Sequence, residues 1–329
     1  MTSVQATELD RLSGFVNGVA VEPFEDLDLD SLEPGDILRD TEPLPVDGIA
    51  GRYTCVIPLA WRVMYAFGGT TMAAAIRAAV AELGRPDLEV VGAEATYCAA
   101  VPCGAMGIHV EVLRGGRNGA QALVRLWSLP GDDPDPSGAV GNDLVVAVVL
   151  GRRSDTPLEF TGAMAPEVPD PLDCPGRETM PDSPFNRIPY HRQTDFRVAM
   201  GGFRLGESSP PADPEAASWF RFQKSPMLPD GCWDPAVLAV PGDILGPAVH
   251  AGLGGEVGFF FVISLQIGLK FVRDVETEWV LQHTRAQSAR SGFASGTAEL
   301  FDADRRLVAV ATQTAVLRPV EFDPGATDA

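Results

Sequence analysis

The chain has 329 residues, of which 45% are hydrophobic and 21% charged, and its mean hydropathy is +0.06. That is enough apolar material for one large domain or two ordinary ones. A formal net charge of −20 and a pI of about 4.5 argue against nucleic acid or an anionic membrane surface as a partner. An anionic ligand such as a coenzyme would need a local basic patch.

The N-terminal stretch "MTSVQATELDRLSGFVNGVA" lacks a cationic segment followed by an apolar one, so it does not read as a secretory signal. The longest greasy run, "VGFFFVISLQIGLKF", is interrupted by Gln266 and Lys270 and is too short to span a bilayer, which needs about 20 apolar residues. The expected setting is therefore the cytoplasm, without membrane insertion. Cys55, Cys98, Cys103, Cys174 and Cys232 form an odd, scattered set with no histidine cluster nearby, which predicts free thiols and no metal site.

Along the chain, residues 1–35 are acidic and irregular. A first unit is expected over 36–151. In it "GRYTCVIPLAW" reads as a strand. It is followed by a helix that Gly68 and Gly69 open and Gly84 stops ahead of Pro86. That helix is alanine-rich and small nearly all round, as for a helix wrapped closely by something else. The strand-like runs "LEVVGAEATYCAAV", "MGIHVEVLRGG", "NGAQALVRLWS" and "NDLVVAVVLGRR" follow, with a hairpin signal at "RGGRNG".

Residues 152–195 are dense in proline and read as a linker or insertion. A second unit, 196–320, then repeats the order: short strands, a small-residue helix over 234–251 and four further strand-like runs, before a tail at 321–329. Pro241 and Pro247 make its helix irregular. "VEVLRGGRNGAQALVRLWS" and "QHTRAQSARSGFASGTAELFD" hold equivalent places, an internal duplication with an offset of roughly 170 residues. The pattern alone predicts a strand-rich α+β fold.

Four stretches carry a resemblance: "YAFGGTTMAAAIRAA", "VEVLRGGRNG", "SWFRFQKSPMLPDG" and "GFASGTAELFDADRRLVAVATQTAVLRP". The chain resembles the acyl-CoA thioesterase II-like enzymes from about residue 60 to 320, excluding the proline-rich insertion. That resemblance implies a double hotdog, two curved antiparallel sheets each wrapped around one long helix. It further implies that water is activated by Asp243 of "PGDILGPAV", Ser264 of "SLQIGLKFVR" and Gln313 of "QTAVLR". Taken singly, Asp243 would also suit a helix cap, Ser264 a hydrogen-bonded strand residue and Gln313 an exposed one.

The residue types suit the chemistry. A carboxylate accepts a proton from water, while a hydroxyl and an amide hold the water's remaining hydrogen bonds. Gly68 and Gly69, at a helix N-terminus, are candidate oxyanion or thioester contacts. The first-half helix has no carboxylate matching Asp243, so one composite site per chain is expected. Arg114, Arg117, Arg125, Lys270 and Arg273 are candidates for the CoA phosphates, and the insertion and "VGFFFVISL" for an acyl tunnel. The expected reaction is hydrolysis of an acyl-CoA thioester without a cofactor, by a homodimer or larger homo-oligomer.

Two other readings stay open. A hotdog enoyl-CoA hydratase resembles G-D-x-N-P-x-H, whereas "GDILGPAVH" separates Asp243 from His250 by seven residues and lacks the asparagine. A double hotdog that binds acyl-CoA without turnover is the other. His109, His191, His250 and His283 show no ligand spacing and read as structural or exposed.

Overall fold

The helix between Phe67 and Gly84 fixes the frame of the first half. In the computed structural model, which describes residues 27–29, 31–131, 134–154, 156–179, 188–201, 209–257 and 259–320, it spans Gly68–Leu83 (α1). Gly84 ends it in the left-handed region at φ 55°, where a residue without Cβ carries little strain, and its N–H closes on the Val80 carbonyl. Met72–Ile76, Ala78 and Ala79 are all buried, so α1 is enclosed on nearly every face. Most of the acidic N-terminal segment, residues 155 and 180–187 of the proline-rich segment and the C-terminal tail lie outside the described residues.

Six strands wrap α1: Leu44–Pro45 (β1), Arg52–Ile57 (β2), Glu89–Tyr97 (β3), Gly104–Gly115 (β4), Gly119–Ser128 (β5) and Leu144–Gly151 (β6). Six more follow: Thr194–Met200 (β7), Glu215–Phe222 (β8), Phe259–Phe271 (β9), Val280–Arg290 (β10), Phe293–Asp302 (β11) and Leu307–Val320 (β12). They form one sheet in the order β1-β2-β4-β5-β6-β3-β9-β12-β11-β10-β8-β7. Read inward from either end, the connectivity is the same, so the duplication seen in sequence is a duplication of topology. Antiparallel pairing of β3 with β9, from Gly92↔Lys270 to Thr96↔Gln266, joins the halves.

The second-half helix is not the continuous element that its length suggests. A 3₁₀ turn, Pro235–Leu238, leads into Ala239–Gly242 (α2), and a further helix, Gly246–Leu253 (α3), follows after a break at Asp243–Leu245. Pro241 and Pro247 lack the amide hydrogens that would bond back across this region, and Gly242 disfavours helix, so the chain leaves helical geometry between them. Asp243 takes φ −92° and ψ 71°. Residues Pro235–Leu253 have the length and hydropathy of a membrane span, but they are the mostly buried core helix of this half.

The two helices meet without intervening side chains. A Cβ on Gly69 would lie 2.4 Å from the Ala239 carbonyl oxygen and 2.6 Å from Val240 Cα. The start of α1 therefore rests directly on the backbone of α2.

The proline-rich segment divides its contacts. Its Val168 and Pro169 lie against the outer face of the second half of the sheet, where Trp219 Nε1 donates to the Pro169 carbonyl at 2.9 Å and Arg305 donates to that of Val168 at 2.8 Å. There it helps to cover Cys174, Trp219, Trp279 and Phe301. Its C-terminal end, by contrast, reaches the interior near Tyr190. All five cysteines are free.

Candidate active site

The break in the second-half helix supplies two of the site's parts. It turns the Asp243 carboxylate toward the start of α1, where Oδ2 accepts the Gly69 N–H at 3.1 Å. It also leaves the buried Leu245 N–H outside any helical ladder, and this amide donates to Gln313 Oε1 at 3.0 Å. That bond fixes which way the Gln313 amide points, so Nε2 faces the carboxylate.

Ser264 arrives by a different device. On β9, Ile267 and Leu269 point into the core, and strict alternation would put Ser264 on the opposite face. The ladder with β12 shifts register between Thr314↔Gln266 and Ala315↔Ser264, which leaves Leu265 as an extra residue. The bulge exchanges the faces, so Phe260, Val262 and Ser264 now point inward.

The three side chains meet. Ser264 Oγ donates to Asp243 Oδ1 at 2.7 Å, and Gln313 Nε2 donates to the same oxygen at 2.8 Å and to Ser264 Oγ at 2.6 Å. Burial pushes the Asp243 carboxyl up to about 6, against the opposing pull of the bonds from Ser264, Gly69 and Gln313. It therefore stays ionised at neutral pH yet is a far better proton acceptor than an exposed aspartate. The residues implied by the resemblance are thus in mutual contact.

The glycines are more constrained than the sequence predicts. Gly69 directs its N–H at Asp243 instead of leaving it open to a substrate, because the helix N-terminus attracts the nearest carboxylate. Gly68 sits where a Cβ would come 2.7 Å from Asp243 Oδ2 and 3.1 Å from the Tyr97 hydroxyl. Tyr97 donates to the Gly68 carbonyl at 2.7 Å. Burial and the Asp243 charge keep its phenol neutral by raising its pKa well above the ordinary value. Tyr97 carries no sequence signal of its own, being a lone tyrosine at a strand end.

The reciprocal junction, where the start of the second-half helix meets α1, is built differently. There Arg77 Nε pairs with Asp234 Oδ2 at 2.9 Å and Arg77 also donates to Thr41 Oγ1. An ion pair thus occupies the place that the trio fills at the other junction.

Asp243, Ser264 and Gln313 open onto a cavity of about 630 Å³ between the halves. Its walls include Phe196, Val198, Met200, Phe260 and Val262, together with Tyr190 and His191. The stretch at the start of β9 and the end of the proline-rich segment do line it. Of the five basic residues considered for CoA phosphates, none is among the lining residues: Lys270 pairs with Glu94 and Arg125 bonds Asn142. The guanidinium groups on the cavity wall belong to Arg177 and Arg318. His250 lines it too, but its ring stacks on Phe260 at 3.9 Å and Nδ1 lies 2.9 Å from the Gly246 carbonyl of its own helix.

A carboxylate, a hydroxyl and an amide thus sit together on the wall of a largely apolar cavity between two helix-in-sheet halves of a double hotdog. Residues 57–150 match the model of the acyl-CoA thioesterase N-terminal domain and residues 169–317 that of the acyl-CoA thioesterase C-terminal domain; the chain belongs to this two-domain acyl-CoA thioesterase family. Among solved structures, a presumed thioesterase from Novosphingobium aromaticivorans is 28% identical, with a TM-score of 0.63 over 83% of this chain and 98% of that one. A hot dog fold protein of unknown function from Alicyclobacillus acidocaldarius is 20% identical, with a TM-score of 0.69 over 86% and 97%. An acyl-CoA thioesterase II from Mycobacterium marinum is 19% identical, with a TM-score of 0.63 over 88% and 100%. Comparison with curated proteins returns no significant match.

Proposed function

We propose that this protein hydrolyses acyl-CoA thioesters to the free acid and CoA, using water activated at Asp243, Ser264 and Gln313. The observation that carries the proposal is the convergence of two donors, one from a bulged strand and one from a separate strand, on one oxygen of a carboxylate placed at the cavity by a helix break.

In the proposed reaction a water inserts between the Asp243 carboxylate and the Ser264 and Gln313 side chains. Asp243 takes one of its protons as the oxygen attacks the thioester carbonyl carbon. The tetrahedral oxyanion sits at the N-terminal end of α1, where the field of the helix favours negative charge and the Gly68 N–H is the proposed donor. Collapse breaks the C–S bond. Protonated Asp243 returns its proton to the departing thiolate, which leaves the carboxylate ready for the next cycle.

No metal or redox group takes part in this scheme. The proposed setting is the cytoplasm and the proposed assembly a homodimer or larger homo-oligomer, which light scattering of the purified chain would test. The deciding experiment is thiol release from acyl-CoA thioesters of graded chain length by wild type and Asp243→Asn. Full activity in that variant would remove Asp243 from the mechanism, and acyl-CoA binding with no product from wild type would replace hydrolysis with a binding role.

A further inference from the structure

The cavity's charge pattern is opposite to that of the chain as a whole. On a protein of net charge −20, Asp243 is the sole carboxylate among the described residues that line the cavity, while Arg177 and Arg318 supply cations. Arg177 is the instructive one. It lies within the proline-rich segment, in a 3₁₀ turn Arg177–Thr179, and is half-buried.

Among the described residues Arg177 makes no ion pair, and its one side-chain hydrogen bond is a long one, 3.4 Å from Nη2 to the Thr194 carbonyl. The carboxylate whose charge acts on it, Asp195, is already engaged by Arg197 at 3.4 Å and Arg221 at 3.2 Å. Burial accordingly lowers the Arg177 pKa from its ordinary value and pushes that of neighbouring His191 down to about 3, with the Arg177 charge as the second cause. A guanidinium withdrawn from water without a counter-charge is costly, and the cost is recovered when an anion arrives.

Arg177 and the site share one aromatic neighbour: the charges of Asp243 and Arg177 both act on Tyr190, whose ring stacks on Phe67 at 4.2 Å, and Phe67 immediately precedes Gly68. The surrounding wall is apolar, with Phe196, Val198 and Met200 of β7 running past it. An anion bound here would be held at one point, with the rest of the ligand in apolar surroundings.

Resting on the hydrolysis reading above, we infer that Arg177 is an anion-reading subsite of the same cavity, which selects thioesters carrying a carboxylate or phosphate group. The planar fork of a guanidinium binds either oxyanion through two parallel N–H bonds, which a neutral acyl chain does not offer. The oxyanion has two possible sources: a terminal carboxylate on the acyl group, or a phosphate of the coenzyme.

The test uses the full chain and four thioesters: hexanoyl and adipyl groups, each on CoA and on N-acetylcysteamine. Hexanoyl-N-acetylcysteamine has no anion, adipyl-N-acetylcysteamine has only the carboxylate and hexanoyl-CoA has only the phosphates. Arg177→Met is expected to raise KM about tenfold or more for an anion-bearing thioester, leaving kcat and the neutral thioester nearly unchanged, and Arg177→Lys to recover part of the loss. A rise for adipyl-N-acetylcysteamine assigns the subsite to the acyl carboxylate; a rise for hexanoyl-CoA assigns it to phosphate. Equal KM changes for neutral and anionic thioesters, or none at all, would overturn the inference while the hydrolysis reading stands. A wild-type protein that cleaves none of the four would instead overturn the hydrolysis reading, and this inference with it.

Discussion

The backbone N–H of Gly69 is bonded to the carboxylate of Asp243, 174 residues further along the chain. The aspartate of one half thus caps the helix of the other, so neither half holds the site alone. Two opposed effects act on that carboxylate: the helix N-terminus and three hydrogen bonds favour its charge, and burial disfavours it. Burial wins, and the pKa rises from 3.8 to about 6.

The first prediction concerns activity against pH. In the proposed reaction the base is ionised Asp243, so kcat/KM should fall tenfold for each unit below about pH 6 and reach a plateau above it. Asp243→Asn should lose about 10²- to 10⁴-fold in kcat, and the residual rate should lack that acid limb. Initial rates of thiol release over pH 4.5–8 read both.

Stability should run the other way. The folded pKa of Asp243 lies above its unfolded value of 3.8, so the folded protein binds the proton more tightly. The resulting contribution is fully present below about pH 4 and is lost as pH rises through about 6. Relative to Asp243→Asn, the wild type should therefore lose on the order of 2–3 kcal/mol between pH 4 and pH 7. Denaturant unfolding of the two proteins at several pH values measures the difference, and parallel curves would contradict the assignment.

Gln313 is predicted to serve orientation as well as hydrogen bonding. Gln313→Leu removes the acceptor of the buried Leu245 N–H, which should cost about 1–3 kcal/mol of stability. Losing a bond to the charged form should also raise the Asp243 pKa, displacing the acid limb of the rate profile upward. Chemical denaturation and the pH–rate profile of one variant report the two effects separately.

Gly68 and Gly69 should respond differently to alanine. At Gly69 the new Cβ meets the backbone of Ala239 and Val240, which cannot swing aside, so the helices must part at a cost of about 1–3 kcal/mol. At Gly68 it meets the ends of the Asp243 and Tyr97 side chains, which can move. Gly68→Ala should melt near wild type but lose about 10²-fold in kcat, because displaced catalytic groups no longer align. Thermal melts beside kcat values distinguish the two outcomes.

Much of the frame was legible in local sequence. The glycines around α1 mark its ends because start and stop preferences act within one turn, and its alanines announce close packing. The repeated order of strands and helix was visible because each half carries its own apolar periodicity. Asp243, Ser264 and Gln313 were named through motif resemblance; nothing in their local patterns brings them together. Tyr97 and Arg177 gave no motif, since a single tyrosine at a strand end or arginine in a proline-rich run is ordinary surface chemistry until the fold turns it inward.

What the sequence determined by itself was the set of elements and the residue types available to them. Tertiary structure decided the rest. The bulge at Leu265 turns Ser264 to the inner face, and it depends on the register with β12, not on β9 alone. The break after Gly242 follows from its prolines, but the carboxylate's partner there is the first glycine pair of a distant helix. Burial of the Asp243 charge follows from the meeting of the two halves, and only that long-range contact sets how strongly the carboxylate holds a proton.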